Sequence, residues 1–269
     1  MIAKQWARFR QYLDYRTAFA KHHDIIQFRR GRDFKPTRAT RAAELAPRPV
    51  RVKDLGPVDV WCRPGTVDYV MLWDTFFHQY HLPVRPLQNV RCVLDLGANI
   101  GLTALSLAQR FPQARVVAVE MDAENVALCA RNLAPLHPRC QVLHAAVWSE
   151  SGEIEYFADA TRLSGHRVAE LGSALGRETR RAPAKTLTEI LRECAIAQVD
   201  YLKMDIEGAE AAVLQPPLDW ARRVRSLGLE IHPPATYDRC AEVLRREGFA
   251  CEKHPRHRAG LFAYRPAGT

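Results

Sequence analysis

Apolar positions along this chain follow two regimes, and the change falls near residue 90. From residue 91 onward, short unbroken apolar runs alternate with stretches whose apolar residues recur at helical spacing. Residues 92–96, 114–120, 140–148, 200–204 and 226–231 read as strands, and 102–109, 123–133, 187–194, 209–214 and 237–247 as helices. Strands that are apolar without alternation suit a sheet covered on both faces, and strand–helix alternation implies parallel pairing. The expected fold class is therefore a doubly wound, mostly parallel α/β sheet with helices on both faces. Gly248 closes the last helix, and residues 249–253 and 261–264, separated by a basic turn, read as an antiparallel pair at one edge. Residues 153–157 look like a hairpin-like addition. The Gly-, Arg- and Ser-rich stretch 160–183 reads as an irregular surface excursion of the kind that often serves substrate binding.

Before residue 90 the pattern is looser. Residues 1–30 read as helical, and 31–57, rich in Arg and Pro, as a linker or arm. A short strand follows from residue 58, and apolar residues at helical spacing span 67–80 before Pro83 and Pro86 close the segment. The expected division is a basic N-terminal helix and linker over 1–57, a lead-in strand and lid helix over 58–89, and the main domain over 90–269, making the N-terminal part a helical and lid-like extension. Asp68, Tyr69 and Tyr80 are the polar groups expected to face a ligand from the lid.

Composition narrows the class. At 269 residues, 47% hydrophobic and 26% charged, the chain can bury a core without disulfides, and no apolar run approaches the ~20 residues of a membrane-spanning helix. Seven cysteines without a CxxC pair read as reduced thiols in the core. With no secretory leader pattern at its start, the chain is expected in the cytoplasm. The net charge of +9 is concentrated before residue 55, interleaved with Trp6, Phe9, Tyr12, Tyr15, Phe19 and Phe28. That pattern suits a solvated amphipathic helix or a peripheral contact with an anionic membrane surface. A nucleic-acid protein more often carries basic clusters beside its active-site segments as well, which weighs against nucleic acid as partner.

The most informative segment is Val93-Leu94-Asp95-Leu96-Gly97-Ala98-Asn99-Ile100-Gly101, a strand running into a glycine turn and then a helix beginning at Leu102. Such a turn lets a ligand approach the backbone closely. A dinucleotide pyrophosphate would be repelled by Asp95, and the third glycine of that fingerprint is missing. S-adenosylmethionine (SAM) instead carries an ammonium and a sulfonium, which Asp95 can attract directly or through water, while loop N–H groups take its carboxylate. Glu120 ends the next strand and is placed to accept from two ribose hydroxyls, with Met121 at the adenine face and Asn125 on the following helix. Its competing reading is a helix cap shared with Asp122.

LDLGANIGLTAL, VVAVEMDAENVALCARNL, HAAVWSESGEIEY and YLKMDIEGAEAAVLQ, in that order, resemble the FkbM family of SAM-dependent methyltransferases, as does the upstream RPGTVDYVMLWDTFFHQYHLP. The resemblance implies a class I methyltransferase, Rossmann-like fold and mostly O-methylation of a small-molecule or carbohydrate acceptor, such as a sugar, glycan, glycolipid or secondary metabolite. It implies SAM as cofactor, held by Asp95, Gly97, Ala98, Asn99, Gly101, Leu102 and Glu120, with the backbone of Ala145, Ala146 and Val147 reading adenine. His144 departs from the acid or polar residue often found before that segment.

A second group of polar residues lies at the ends of later strands. Asp205 and Glu207 follow 200–204, while Glu230 and His232 project to one side at the end of 226–231 by the two-residue period. In an open parallel sheet both strand ends face the ligand crevice. Three acids and an imidazole there suit general-base chemistry or a divalent-metal site with oxygen and nitrogen ligands, and the residues leave that choice open. The base is expected at His232 or Asp205, with Glu207 and Glu230 orienting it; Asp205 also borders the cofactor. Glu210 reads as a cap or helix pair, and Lys203 as an ion-pair partner of Asp205. Rival readings are an RNA methyltransferase, a nicotinamide-dependent oxidoreductase and a catalytically silent SAM-binding protein.

Overall fold

The computed structural model describes residues 18–19, 21–35, 44, 46–158, 167–168 and 178–266. The expected first helix is met only in part, because residues 1–17, with Trp6, Phe9, Tyr12 and Tyr15, lie outside the described residues. The chain divides into two compact units, 1–79 and 80–269, so residues 80–89, read as part of the lead-in, belong with the main domain.

The first unit contains helix α1 (His22–Arg32), strands β1 (Arg48–Arg51) and β2 (Asp59–Cys62), and helix α2 (Asp68–Trp73) running into a π-turn over Asp74–His78. β1 lies inside the stretch read as a linker. It pairs antiparallel with β2, from Arg48 opposite Cys62 to Arg51 opposite Asp59, a long-range pairing that a four-residue segment with one buried side chain does not announce. Asp68 is fully buried and accepts from the Arg63 backbone N–H at 2.8 Å and from its guanidinium at 2.9 Å. Removing either partner would leave the other as an uncompensated buried charge. Tyr69 packs edge-on against Phe28.

The second unit holds the alternating elements expected of it. They are β3 (Cys92–Leu96), α3 (Leu102–Arg110), β4 (Arg115–Glu120), α4 (Ala123–Leu133), β5 (Cys140–His144), β6 (Ala146–Val147), β7 (Gly152–Ala158), β8 (Arg167–Val168), β9 (Glu178–Lys185), α5 (Leu187–Glu193), β10 (Tyr201–Met204), α6 (Glu210–Val213), β11 (Ser226–Glu230), α7 (Tyr237–Arg246), β12 (Ala250–Lys253) and β13 (Gly260–Tyr264). Seven strands form one sheet in the order β12-β13-β11-β10-β3-β4-β5. Pairing is parallel from β11 through β5, and only β13 runs against its neighbours. The order reverses direction between β3 and β10, so their carboxyl ends open the crevice where such sheets bind ligands. The core side chains Val93, Leu94, Leu96, Val116, Val119, Leu202 and Met204 are all fully buried, as covering both faces requires.

Two readings need correction. The apolar run 140–148 is not one strand: after β5 the Ala145 N–H bonds the Glu120 carbonyl at 2.9 Å, and the chain leaves for a second sheet, ordered β6-β9-β7-β8. The supposed irregular excursion ends in an eight-residue strand, β9, paired with β7 from Gly152 opposite Ala184 to Ala158 opposite Glu178. Its alternation is hidden because an arginine occupies one inward position. Arg180 lies beside Ala182 and Ala184 on that face, and its charge is met by Asp122 at 3.0 Å and Glu124 at 3.1 Å. Among the described residues, no helix is long and apolar enough to cross a membrane.

Candidate active site

The loop after β3 is built on close backbone packing. Gly97 has φ 74°, and a Cβ there would stand 1.8 Å from the Asp205 carbonyl oxygen, so only glycine lets this loop touch the end of β10. The Gly97 and Ala98 N–H groups both bond the Val119 carbonyl at 3.0 Å, tying the loop to β4, and Gly101 with Leu102 opens α3. Asn99 lies in the left-handed region at φ 50°, and its buried Oδ1 has no hydrogen-bond partner. A buried acceptor left open in this way is fitted to a donor supplied by a ligand.

Asp95 is fully buried at the end of β3, where its carboxylate accepts from the Thr103 hydroxyl at 2.5 Å and pairs with the Lys203 ammonium at 3.3 Å. Lys203 also donates to the Gly97 carbonyl at 3.0 Å and lies 3.5 Å from Asp205. Burial opposes its charge, but Asp95 and Asp205 outweigh burial and raise its pKa. Lys203 thus pairs with Asp205 as expected, and also neutralises Asp95. Neither Thr103 nor the Asp95 pairing was signalled by local pattern.

Glu120 ends β4 with its carboxylate aimed back at the loop. It accepts from the Asn99 and Asp122 N–H groups, both at 2.9 Å, and from the Asn125 side chain. Burial raises its pKa, and those same backbone hydrogen bonds work the other way. Helix capping falls to Asp122 instead, whose Oδ1 accepts from Glu124 and Asn125. Asp122 also holds Arg180 and the Tyr156 hydroxyl, which locks β4 to the second sheet. His144 bonds the Met121 carbonyl at 2.8 Å, and Met121 packs against Ala146, Ile154 and Tyr156. Ala145, Ala146 and Val147 are buried where the chain passes between the two sheets.

The second group gathers around His232. Its Nε2 lies 4.0 Å from Asp205, 3.8 Å from Glu207 and 3.6 Å from Glu230. Its Nδ1 lies 2.9 Å from Glu210, a fully buried carboxylate that also accepts from the Ile206 N–H at 3.2 Å. Glu210 is therefore more than a helix cap: it fixes the ring and turns Nε2 toward the three acids. That link joins residues 22 positions apart, so only the EGAE run hinted at it. Glu207 itself holds a left-handed backbone at φ 54°. Burial works against the imidazolium, yet the Glu210 hydrogen bond and the charges of Asp205, Glu210 and Glu207 raise His232 to about 9. Burial, then the Asp205 charge, pushes Glu230 up to about 7. One ligand atom each from Asp205, Glu207 and His232 lie within 4.8 Å of one another, a spacing that a divalent ion would fit.

Of the three residues expected in the lid, Asp68 and Tyr69 are engaged inside the first unit. Tyr80 lies in the second unit, 5.0 Å ring to ring from His257. Sequence reasoning also missed His81, whose buried Nε2 has no partner and whose pKa falls to about 3 through burial and the Lys203 charge. The Tyr201 hydroxyl, donating 2.7 Å to the His81 carbonyl, anchors that segment to β10.

The family model described as "Methyltransferase FkbM domain" matches residues 95–261, which span both polar groups. The chain is 28% identical over 200 residues to the AMB antimetabolite synthetase AmbE of Pseudomonas aeruginosa, covering 58% of this chain and 9% of that protein. It is 24% identical over 164 residues to the 2-O-methyltransferase NoeI of Sinorhizobium fredii, covering 54% and 65%. It is 31% identical over 124 residues to the tRNA1(Val) (adenine(37)-N6)-methyltransferase of Vibrio parahaemolyticus, covering 45% and 50%. The matched region spans less than two thirds of each of these relatives. Among solved structures, fibrillarin of Aeropyrum pernix with natively bound S-adenosyl-L-methionine has a TM-score of 0.40 at 17% identity, with 68% of each chain covered. The chain belongs to the FkbM methyltransferase family and has the class I methyltransferase fold.

Proposed function

We propose that the protein is a SAM-dependent O-methyltransferase acting on a hydroxyl of a sugar, glycan, glycolipid or secondary metabolite. The observation that carries this reading is the placement of three carboxylates around one imidazole at strand ends directly beside the glycine loop, since the Asp205 carbonyl fills the space a Gly97 side chain would need. The buried, open Asn99 Oδ1, the Gly97 cradle and the Glu120 carboxylate fit SAM. In this reading Glu120 accepts from the ribose, Asn99 and the Gly97–Gly101 loop hold the methionyl end, and Met121 with the Ala145–Val147 backbone frames the adenine. SAM, when bound, would supply an electrophilic methyl on a sulfonium, with a neutral thioether as the leaving group.

The chain's own residues handle the proton. A hydroxyl attacks poorly until its proton leaves, and a positioned base assists by roughly 10²–10⁴-fold. Burial and the Asp205 charge raise Glu230 to about 7, which suits it to accept a proton near neutrality. His232, kept cationic by Glu210, holds the surrounding acids in place and can support the developing alkoxide. This shifts the base from His232 or Asp205, favoured on sequence, to Glu230 acting beside His232. A divalent ion at Asp205, Glu207 and His232 is the second reading, carried by their spacing. Chelator would then abolish activity and Mg²⁺ or Mn²⁺ restore it, whereas a simple base responds to neither.

The test is methyl transfer from labelled SAM to a panel of hydroxylated glycans, glycolipids and metabolites, with transfer RNA alongside. Label on a hydroxyl oxygen is the expected result. Label only on RNA, with affinity falling steeply as salt rises, would replace this reading with the RNA one. SAM binding with no transfer anywhere would favour the silent reading.

A further inference from the structure

The turn between β12 and β13 reads His254-Pro255-Arg256-His257-Arg258-Ala259, with four basic residues in six. Strand direction forces it to the active end of the sheet. β13 runs against β11 with Gly260 opposite Glu230, so the turn that precedes Gly260 emerges beside the carboxyl end of β11. Main-chain bonds fix it there: the Ile231 N–H reaches the Ala259 carbonyl at 2.9 Å, and the His254 N–H reaches the Gly260 carbonyl at 2.8 Å. Gly260 permits the close fold-back, since a Cβ there would stand 2.5 Å from the His254 Cβ.

His257 Nε2 lies 3.6 Å from the Glu230 carboxylate, which in turn lies 3.6 Å from His232. The basic turn is therefore continuous with the acidic centre. Its rings are ordered: Tyr80 packs 5.0 Å from His257 and edge-on at 6.2 Å to His254, and the Arg256 N–H donates to His254 Nδ1 at 3.2 Å. Arg256 and Arg258 are exposed and have no carboxylate partner among the described residues. A basic turn joined to the acidic centre through His257 is complementary to a molecule that presents a hydroxyl at one end and a phosphate or diphosphate at the other. Planar guanidinium forks match phosphate oxygens best.

We infer that Arg256 and Arg258, with the Tyr80–His254–His257 rings, form the anion-binding rim of the acceptor site, and that the acceptor carries a phosphate or diphosphate group. This rests on the methyltransferase reading for the word acceptor, but not for the binding event. The chemistry is shared by nucleotide-linked and lipid-linked sugars.

The experiment measures binding of pyrophosphate, uridine diphosphate, geranyl diphosphate and a short single-stranded RNA to the full chain by calorimetry. The Arg256→Gln/Arg258→Gln variant is run in parallel, with SAM affinity recorded for each protein. The expected result is pyrophosphate binding that weakens at least tenfold in the variant while SAM affinity stays within twofold. Tighter binding of uridine diphosphate assigns a nucleotide-linked acceptor, and tighter binding of geranyl diphosphate a lipid-linked one. No pyrophosphate binding, equal binding by both proteins, or RNA bound far more tightly than any diphosphate through the same arginines would overturn the inference. Failure of SAM to bind the wild-type chain would sink the methyltransferase reading and leave the rim measurement standing.

Discussion

The two halves of the site solve different physical problems. Around the Gly97 loop, charges are paired in advance: Asp95 has Lys203 and Thr103, and Glu120 takes two backbone N–H groups and Asn125. Around His232, four carboxylates crowd one imidazole and raise its pKa, while burial and then the Asp205 charge raise Glu230. The first half has its polar groups already paired before any ligand arrives. The second is electrostatically loaded, and its protonation state is what a reaction can change. Cofactor affinity should thus depend on shape and hydrogen bonds, and turnover on charge.

The largest test of that contrast is Gly97→Ala. The new methyl would collide with the Asp205 carbonyl at a backbone conformation that alanine resists, so SAM affinity should fall at least about a hundredfold or the protein fail to fold. Calorimetry together with circular dichroism distinguishes these outcomes, and near-normal affinity would show that the loop is soft rather than pre-formed. Glu120→Ala comes next, with SAM binding weakened by about 2–3 kcal/mol, since hydrogen bonds to a charged group are the stronger kind. Unchanged affinity in the folded variant would take Glu120 out of the cofactor site.

On the loaded side, His232→Ala and Asp205→Asn should each lower the methyl-transfer rate at least about tenfold while SAM affinity changes less, a split that marks transition-state contacts. Glu210→Gln should lower it by a smaller factor and move the pH profile toward acid, because it weakens the hold on the imidazolium. A rate loss without that movement would make Glu210 merely structural. The gentlest probe is pH itself. Glu230 must be ionised to accept a proton, so the rate should rise as pH passes about 7; His232 must keep its proton to stay cationic, so the rate should fall as pH passes about 9. A flat profile across that window would argue that neither group titrates during the reaction.

The same contrast explains what could be read from the chain alone. The Asp95–Gly101 loop and Glu120 were legible because their geometry is local: a strand, a turn and a helix start written in consecutive residues. The ends of β10 and β11 were legible because a parallel sheet forces them to the same edge. The Glu210–His232 contact was not, since it joins groups from separate elements, the start of α6 and the segment after β11. Lys203 was read only toward Asp205, its neighbour two positions on, because the Asp95 contact depends on β10 lying beside β3. Strand β9 was missed for a third reason. Its inward Arg180 is neutralised by acids on α4 and its N-cap, so hydrophobic alternation, the usual signal, is absent where charge pairing replaces it.

The register of β13 has a consequence for how such a protein could diversify. Gly260 stands opposite Glu230, and the hairpin is held by backbone atoms on both sides of its tip, so the side chains at 254–258 bear none of the sheet's hydrogen bonding. His257 stays tied to a reacting group through Glu230 at 3.6 Å, but selection can rewrite the exposed Arg256 and Arg258 without disturbing the strands that carry the chemistry. Change in what is recognised is thereby uncoupled from change in the chemistry performed, and related chains could share one reaction while diverging at a single turn.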